Sequence, residues 1–240
     1  MGYSSVRRED PRLASRIRAA LGDARTVLNV GAGAGAYEPR DLDVTAVEPS
    51  EVMRAQRPPA AAPAVDAIAE QLPFGDNSFD AAMAVLSDHH WNDHGGGLAE
   101  MRRVARRRVV LFTWEPGTQA DSWLVRDYLP GFTRLVPTGY TLERTLARLG
   151  GGRIEHVPIP HDCRDGFLHA YWRRPRAYLD PRVRAGISVF RLLDPEEVAG
   201  AVERLAADLE SGEWQRRNGA LLDLEELDLG YRIVVTELTT

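Results

Sequence analysis

The chain has 240 residues, with 30 basic and 35 acidic side chains and a formal net charge of −5. That length suffices for one full hydrophobic core with room for a smaller second unit. A hydrophobic content of 44% excludes a disordered chain, and the acidic balance argues against nucleic acid as the main partner. No apolar run approaches the roughly 20 residues of a membrane-spanning helix, so no membrane partner is expected. The opening stretch MGYSSVRREDPR lacks the apolar core of a secretory leader, and a cytoplasmic location is the expectation. Cys163 is the single cysteine, which excludes an internal disulfide and a four-thiolate metal site. Every basic residue is an arginine, which excludes Schiff-base chemistry on lysine and a phosphate-binding P-loop lysine.

In chain order, Pro11 to Leu21 has helical spacing (Leu13, Ile17, Ala20, Leu21) and stops at Gly22. Thr26 to Val30 reads as a buried first strand. Ala36 to Leu42 is short and carries Pro39, so no long helix is expected there. Val44 to Val47 reads as the second strand, and Ser50 caps a short helix running to about Gln56 before Pro58 and Pro59. Ala64 to Ala69 is a short third strand and Phe79 to Leu86 a buried fourth. Leu98 to Ala105 is helical, and Val109 to Thr113 is the fifth strand. Thr141 to Leu149 is a capped helix, Arg153 to Ile159 the sixth strand and Tyr231 to Leu238 the seventh. About seventy residues of helical character intervene between the last two strands, among them Glu196 to Leu209, which opens on Asp194-Pro195. Strands alternating with helices predict an α/β fold with a mainly parallel sheet. The expected organisation is a core of residues 1–160 with 229–240, and a helical lid, residues 161–228, inserted before the last strand.

The segment TVLNVGAGAGAYEPRDLDVTAVEPS, Thr26 to Ser50, has the layout of a nucleoside-binding site. Gly31, Gly33 and Gly35 let backbone approach a ligand, and Glu48 ends the second strand, where an acid accepts from ribose hydroxyls. On these residues alone a nicotinamide-dependent oxidoreductase fits as well, since GAGAGA matches the loose dinucleotide pattern.

Four stretches in order resemble the class I S-adenosylmethionine-dependent methyltransferases, closest to the ubiquinone/menaquinone-type domain and its small-molecule subgroup. They are VLNVGAGAG (Val27 to Gly35), VTAVEPSEVM (Val44 to Met53), AEQLPFGDNSFDAAMAV (Ala69 to Val85) with HHW after it, and EMRRV (Glu100 to Val104). The resemblance covers about residues 20–115. It implies a Rossmann-like seven-stranded methyltransferase sheet whose last strand is antiparallel. It implies S-adenosylmethionine as cofactor, S-adenosylhomocysteine as product, and a small-molecule acceptor. The Asn29, Gly31, Ala32, Gly33 and Gly35 loop would pack on the methionine part and Glu48 on the ribose. Pro49, Ser50, Met53, Ala69 and Glu70 would lie about the adenine, and Leu86, Ser87 and Asp88 near the sulfonium. Asn29 stands where the family usually has an acid, and Ile68 where many members have Asp; whether Asp66 compensates is left open. These departures keep open a non-catalytic protein that binds the cofactor.

Ser87 to His94 follows the fourth strand at the carboxyl edge of the sheet, where ligands of open α/β folds bind. His89, His90 and His94 suggest a metal at first sight, with Asp88 or Asp93, but the expectation is no metal. His89 or His90 as a general base suits proton removal at neutral pH; the competing reading makes His90 and Trp91 structural. The string PHDCRDGFLHAYWRRP, Pro160 to Pro175, concentrates polar and aromatic residues as a small-molecule pocket does. Asp162 is the catalytic candidate there. His161, Cys163, Phe167 and Trp172, with Trp91, are candidate substrate contacts; Cys163 alternatively reads as a small buried residue. The Arg102 to Arg108 run reads as a solvated helix end. The expected assembly is a monomer or homodimer.

Overall fold

The structure is a computed structural model that describes residues 8–238. Most of the stretch read as leader-free lies outside those residues. Helix α1 (Pro11–Ala20) buries Leu13, Ile17 and Ala20, one stripe of its surface. Strand β1 (Thr26–Val30) and strand β2 (Asp43–Val47) follow with no helix between them, because Pro39 and the glycines leave too short a connection. Helix α2 (Glu51–Ala55) starts at Ser50, whose hydroxyl accepts from the Met53 N–H at 3.3 Å. Strand β3 is only Ala64–Val65, and β4 is Phe79–Val85. Helix α3 (His94–Val104) begins four residues before the expected Leu98, since Asp93 caps it by accepting from the Gly95 N–H at 3.0 Å. Strand β5 (Ala105–Trp114) is followed by the short helices α4 (Pro116–Ala120) and α5 (Trp123–Asp127). Helix α6 (Leu142–Leu149) ends on Gly150, whose φ of 84° makes the left-handed cap that glycine allows.

The sixth predicted strand divides. Strand β6 stops at His156 (Arg153–His156), and β7 (Ile159–Pro160) pairs instead with β8 (Glu226–Leu227). Pro158 has no N–H to continue the ladder. Helices α7 (Pro181–Ala185), α8 (Val189–Leu192), α9 (Pro195–Ser211) and α10 (Glu213–Asn218) fill the intervening stretch, and β9 (Tyr231–Glu237) closes the sheet. The sheet order is β3-β2-β1-β4-β5-β9-β6, with β9 antiparallel to both its neighbours and the other pairs parallel. This is the Rossmann-like seven-stranded architecture that the motifs imply. The order reverses at β1, so the β1 and β4 carboxyl ends form the crevice where such sheets bind ligands.

The chain divides into two compact units. The sheet unit comprises Pro11–Glu115, Thr138–Val157 and the C-terminal stretch from Tyr231. Its core joins Leu28, Val30, Ala82, Ala84, Val109 and Leu111 of the strands to Leu98 and Met101 of α3 and Leu149 of α6. The second unit comprises Pro116–Pro137 and Pro158–Gly230, with residues 8–10. It therefore takes in residues 116–137 beyond the expected 161–228. The reason is aromatic packing: the Trp123 ring makes edge contacts with Tyr178 at 5.8 Å and Trp214 at 5.4 Å. No helix among the described residues is long and apolar enough to cross a membrane.

Candidate active site

The glycine loop leaves β1 directly. Gly31, Gly33 and Gly35 have φ of 69°, 52° and 89°, conformations that side chains rarely adopt. A Cβ on Gly31 would stand 2.7 Å from the Ser87 Cβ, and one on Gly35 would stand 2.9 Å from Ala61. Glycine is thus required both by dihedral angle and by the close approach of the loop to its own framework. Glu48, buried at the end of β2, faces this loop: its Oε2 accepts from the Gly33 N–H at 2.7 Å and its Oε1 from the Ser50 N–H at 2.9 Å. A carboxylate has about four acceptor positions, so hydroxyl donors can still be received on both oxygens. Asn29 is buried; its Nδ2 donates to Glu38 Oε1 at 3.1 Å while its Oδ1 has no partner. That orphan acceptor, the glycine cradle and the fixed Glu48 carboxylate fit a ligand with an ammonium end and a ribose, as S-adenosylmethionine has.

A buried ion pair lies beside Asn29. Glu38 pairs with Arg57 at 2.6 Å, with side chains only 7% and 6% exposed. The same guanidinium donates to the Gly33 carbonyl at 3.0 Å and to the Ala62 carbonyl at 2.7 Å, and the Ala62 N–H donates to Glu38 Oε2 at 3.0 Å. Neither Glu38 nor Arg57 was among the sequence candidates; Glu38, nine residues beyond Asn29 in a loop without periodicity, offered no signal. Pro49 is exposed, Ser50 and Met53 half-buried, Ala69 buried and Glu70 half-buried. Ala32 is buried in the loop. Asp66 pairs with Arg54 at 2.9 Å, and Ile68 is exposed.

Leu86 and Ser87 follow β4 directly. Leu86 has φ of 50°, a left-handed conformation that costs a branched side chain about 1–3 kcal/mol and clusters at functional sites. The Ser87 hydroxyl donates to the Val30 carbonyl at 2.8 Å, tying this bend to the glycine loop. Asp88 is fully buried. Its Oδ1 accepts from the Thr113 hydroxyl at 2.9 Å, and its Oδ2 from the Tyr140 hydroxyl at 2.7 Å and from His94 Nε2 at 3.2 Å. The Thr113 and Tyr140 hydroxyls also contact each other. Burial pushes the Asp88 carboxyl up, but the hydrogen bonds it accepts from His94 and Tyr140 oppose this and it stays below the usual range. Burial and the neighbouring Asp88 charge push the Tyr140 phenol well above its ordinary value, so it stays a donor.

A wall of rings continues from this carboxylate. His90 lies against His89 (4.0 Å between ring centres), His89 against Trp114 (5.2 Å), Trp114 against Tyr140 (5.5 Å), Tyr140 against His94 (5.0 Å) and His94 against Trp91 (5.9 Å). The Trp91 indole nitrogen would stand 3.6 Å from a Cβ on Gly31, so the wall reaches the glycine loop. His89 Nδ1 accepts from the Trp114 indole N–H at 3.1 Å, and burial, with the nearby His90, lowers its pKa to about 3. His90 is exposed. Among the described residues no group of three or more His, Cys, Asp or Glu side chains is placed to hold a metal ion. Thr113, Trp114 and Tyr140 were not sequence candidates; they reach Asp88 and His89 from other elements.

The remaining candidates lie in the second unit. Asp162 is exposed, and His161 is half-buried with Nε2 3.3 Å from a Glu225 carboxylate oxygen. Phe167 and Trp172 are buried, the Trp172 indole donating to the Ile159 carbonyl at 3.0 Å. Cys163 is buried, and burial pushes its thiol up to about 12, which suits packing better than nucleophilic work. Buried His169 bonds the Ser122 hydroxyl at 2.8 Å, and burial lowers its pKa to about 3.

Residues 28–113 match a family model described as "Methyltransferase domain". A candidate methyltransferase from an antibiotic biosynthesis pathway of Anabaena variabilis ATCC 29413 is 34% identical, over 97% of this chain and 99% of that one, with a TM-score of 0.90. The geranyl diphosphate C-methyltransferase of Streptomyces coelicolor A3(2), solved with S-adenosylhomocysteine, shares the fold at 14% identity, over 95% of this chain and 76% of its own, with a TM-score of 0.53. The uncharacterised Escherichia coli (strain K12) protein YafE is 42% identical over 60 residues, 23% of this chain; the match spans only 29% of that protein's length.

Proposed function

This chain belongs to the class I S-adenosylmethionine-dependent methyltransferases, and we propose that it methylates a small molecule. Membership sets aside the nicotinamide reading of the glycine loop. The observation that carries the proposal is the ring wall beside that loop: His89, Trp91, His94, Trp114 and Tyr140 make a mixed apolar and polar surface suited to a compact acceptor. The antibiotic-pathway relative described above supports a small-molecule acceptor, and the net charge of −5 disfavours RNA.

In this reading Glu48 receives the ribose hydroxyls of the bound cofactor, Asn29 Oδ1 receives its ammonium end, and Ser50, Met53, Ala69 and Glu70 border its base. The cofactor supplies a methyl group already activated on a sulfonium. The protein's own task is to hold an oxygen, nitrogen or carbon nucleophile in line with that methyl and to exclude water. In the ring wall Trp114 and Tyr140 are buried and His89, Trp91 and His94 half-buried, so it offers a largely apolar surface whose histidines are proton-handling groups.

Transfer of tritiated methyl from S-adenosylmethionine is measured on a panel of phenols, carboxylic acids and amines, alongside total RNA and a protein lysate. Label in one or more panel compounds is expected. Label confined to RNA or protein, with none in the panel, would overturn the small-molecule reading.

A further inference from the structure

We propose that His94 is the general base for methyl transfer and that Asp88 positions it, whereas His89 presents a hydrogen-bond donor. This rests on the small-molecule methyltransferase reading and assigns the proton chemistry of that same site.

The argument is one of proton bookkeeping. The Asp88 carboxylate accepts three hydrogen bonds, one of them from His94 Nε2 at 3.2 Å, the others from Thr113 and Tyr140. An ionised carboxylate only accepts, so His94 in its neutral form carries its proton on Nε2 and its lone pair on Nδ1. His94 Nδ1 has no hydrogen-bond partner among the described residues. For His89 the constraint is reversed. The Trp114 indole N–H can only donate, so the 3.1 Å bond occupies the His89 Nδ1 lone pair and fixes the proton on its Nε2. The two imidazoles thus hold the same tautomer but turn opposite edges away from their partners: His94 a lone pair, His89 an N–H. The separation of 4.0 Å between His89 Nδ1 and Asp88 is beyond hydrogen-bonding distance.

A carboxylate behind an imidazole does two things for a base. It selects the tautomer, and it stabilises the imidazolium that forms when the proton arrives. Tyr140 and Thr113 hold Asp88 in place from two other elements, and Trp91 and Tyr140 flank the His94 ring. The other charged groups about this ring are Asp93 at the helix cap, Glu70, which accepts from the Asp93 N–H at 2.9 Å, and Arg148 of α6, set against Gly95. In the reaction the acceptor's lone pair forms the bond to the methyl carbon. The carbon–sulfur bond breaks with its electrons on sulfur. The acceptor's O–H or N–H proton passes to His94 Nδ1, and the resulting imidazolium, still donating from Nε2 to Asp88, returns that proton to water.

The test labels the whole chain with 15N-histidine and reads ring nitrogen shifts at pH 8, with and without S-adenosylhomocysteine. Both His89 and His94 are expected as the Nε2–H tautomer. In Asp88→Asn the His94 tautomer becomes mixed while that of His89 is unchanged. His94→Gln is expected to lower kcat by about 100-fold or more on the best acceptor of the panel above, with S-adenosylhomocysteine affinity retained and the acidic limb of the pH–rate profile lost. An Nδ1–H tautomer for His94 in the parent, or an unchanged kcat and pH profile in His94→Gln, overturns the proposal. The tautomer measurement needs no acceptor, so a panel that gives no turnover counts against the small-molecule reading and leaves the tautomer result to decide this one.

Discussion

Glu38 and Arg57 show how one departure from a family pattern is absorbed. The Asn29 amide, where the family usually has an acid, donates to Glu38, which Arg57 holds in a pair that is almost fully buried. Breaking a buried pair by removing one partner leaves an uncompensated charge, at a cost of about 3–5 kcal/mol. Glu38→Ala is therefore expected to lose stability of that order in urea denaturation. Glu38→Gln, which keeps an acceptor for Asn29, should lose less; equal losses would show that the carboxylate charge is immaterial. At this scale the glycine loop and its contact with Glu48 were legible in the sequence, because Gly31, Gly33, Gly35 and Glu48 lie close along the chain and the turn follows from backbone geometry. The network about Asp88 was not: Thr113 and Tyr140 are 25 and 52 residues away, and no periodicity links them to it. His94 was noticed only as a third histidine, because its role depends on which carboxylate oxygen it meets.

The element that sets the base in place is α3, which starts at His94 itself. Its first turn depends on Asp93, which accepts from the Gly95 N–H, and Trp91 packs so closely on Gly97 that a Cβ there would clash with the indole. Asp93→Ala is expected to cost about 1 kcal/mol, the ordinary value of an N-cap. It should also loosen the His94–Asp88 contact, which is read as broadening of the His94 ring resonances; sharp, unshifted resonances would argue that the wall alone positions this ring. The strands were readable because parallel strands buried on both faces are continuous apolar runs. The helix start was missed by four residues because glycines at positions 95–97 lower helix propensity, and tertiary packing overrides that preference here. The sixth strand was overextended because β character continues past Pro158 in sequence while the hydrogen-bond partner changes from β9 to β8.

Across the whole molecule, each compact unit carries one histidine held neutral by desolvation, the half-buried His89 in the sheet unit and the buried His169 in the other, both with pKa about 3. The unfolded chain binds these protons near pH 6.5, whereas the folded chain resists them until about pH 3. Their contribution is thus complete above the unfolded value and is lost as pH falls through this window, at about 1.4 kcal/mol per pH unit for each histidine. Urea denaturation at pH 7, 5.5 and 4.5 should show this steady loss, and His169→Gln should reduce the slope; a flat profile would contradict the neutral state. The division into units was only partly legible, since residues 116–137 join the second unit through ring contacts with residues more than fifty positions away.

The account as a whole depends on the glycine loop and Glu48 holding the nucleoside cofactor. Isothermal titration of S-adenosylhomocysteine into the intact protein and into Glu48→Ala tests this most directly. Saturable one-site binding is predicted for the intact protein, weakened about 10-fold or more in Glu48→Ala, as expected for the loss of hydrogen bonds to a charged group. Absence of binding to the intact protein, or equal affinity in a folded Glu48→Ala variant, would contradict it.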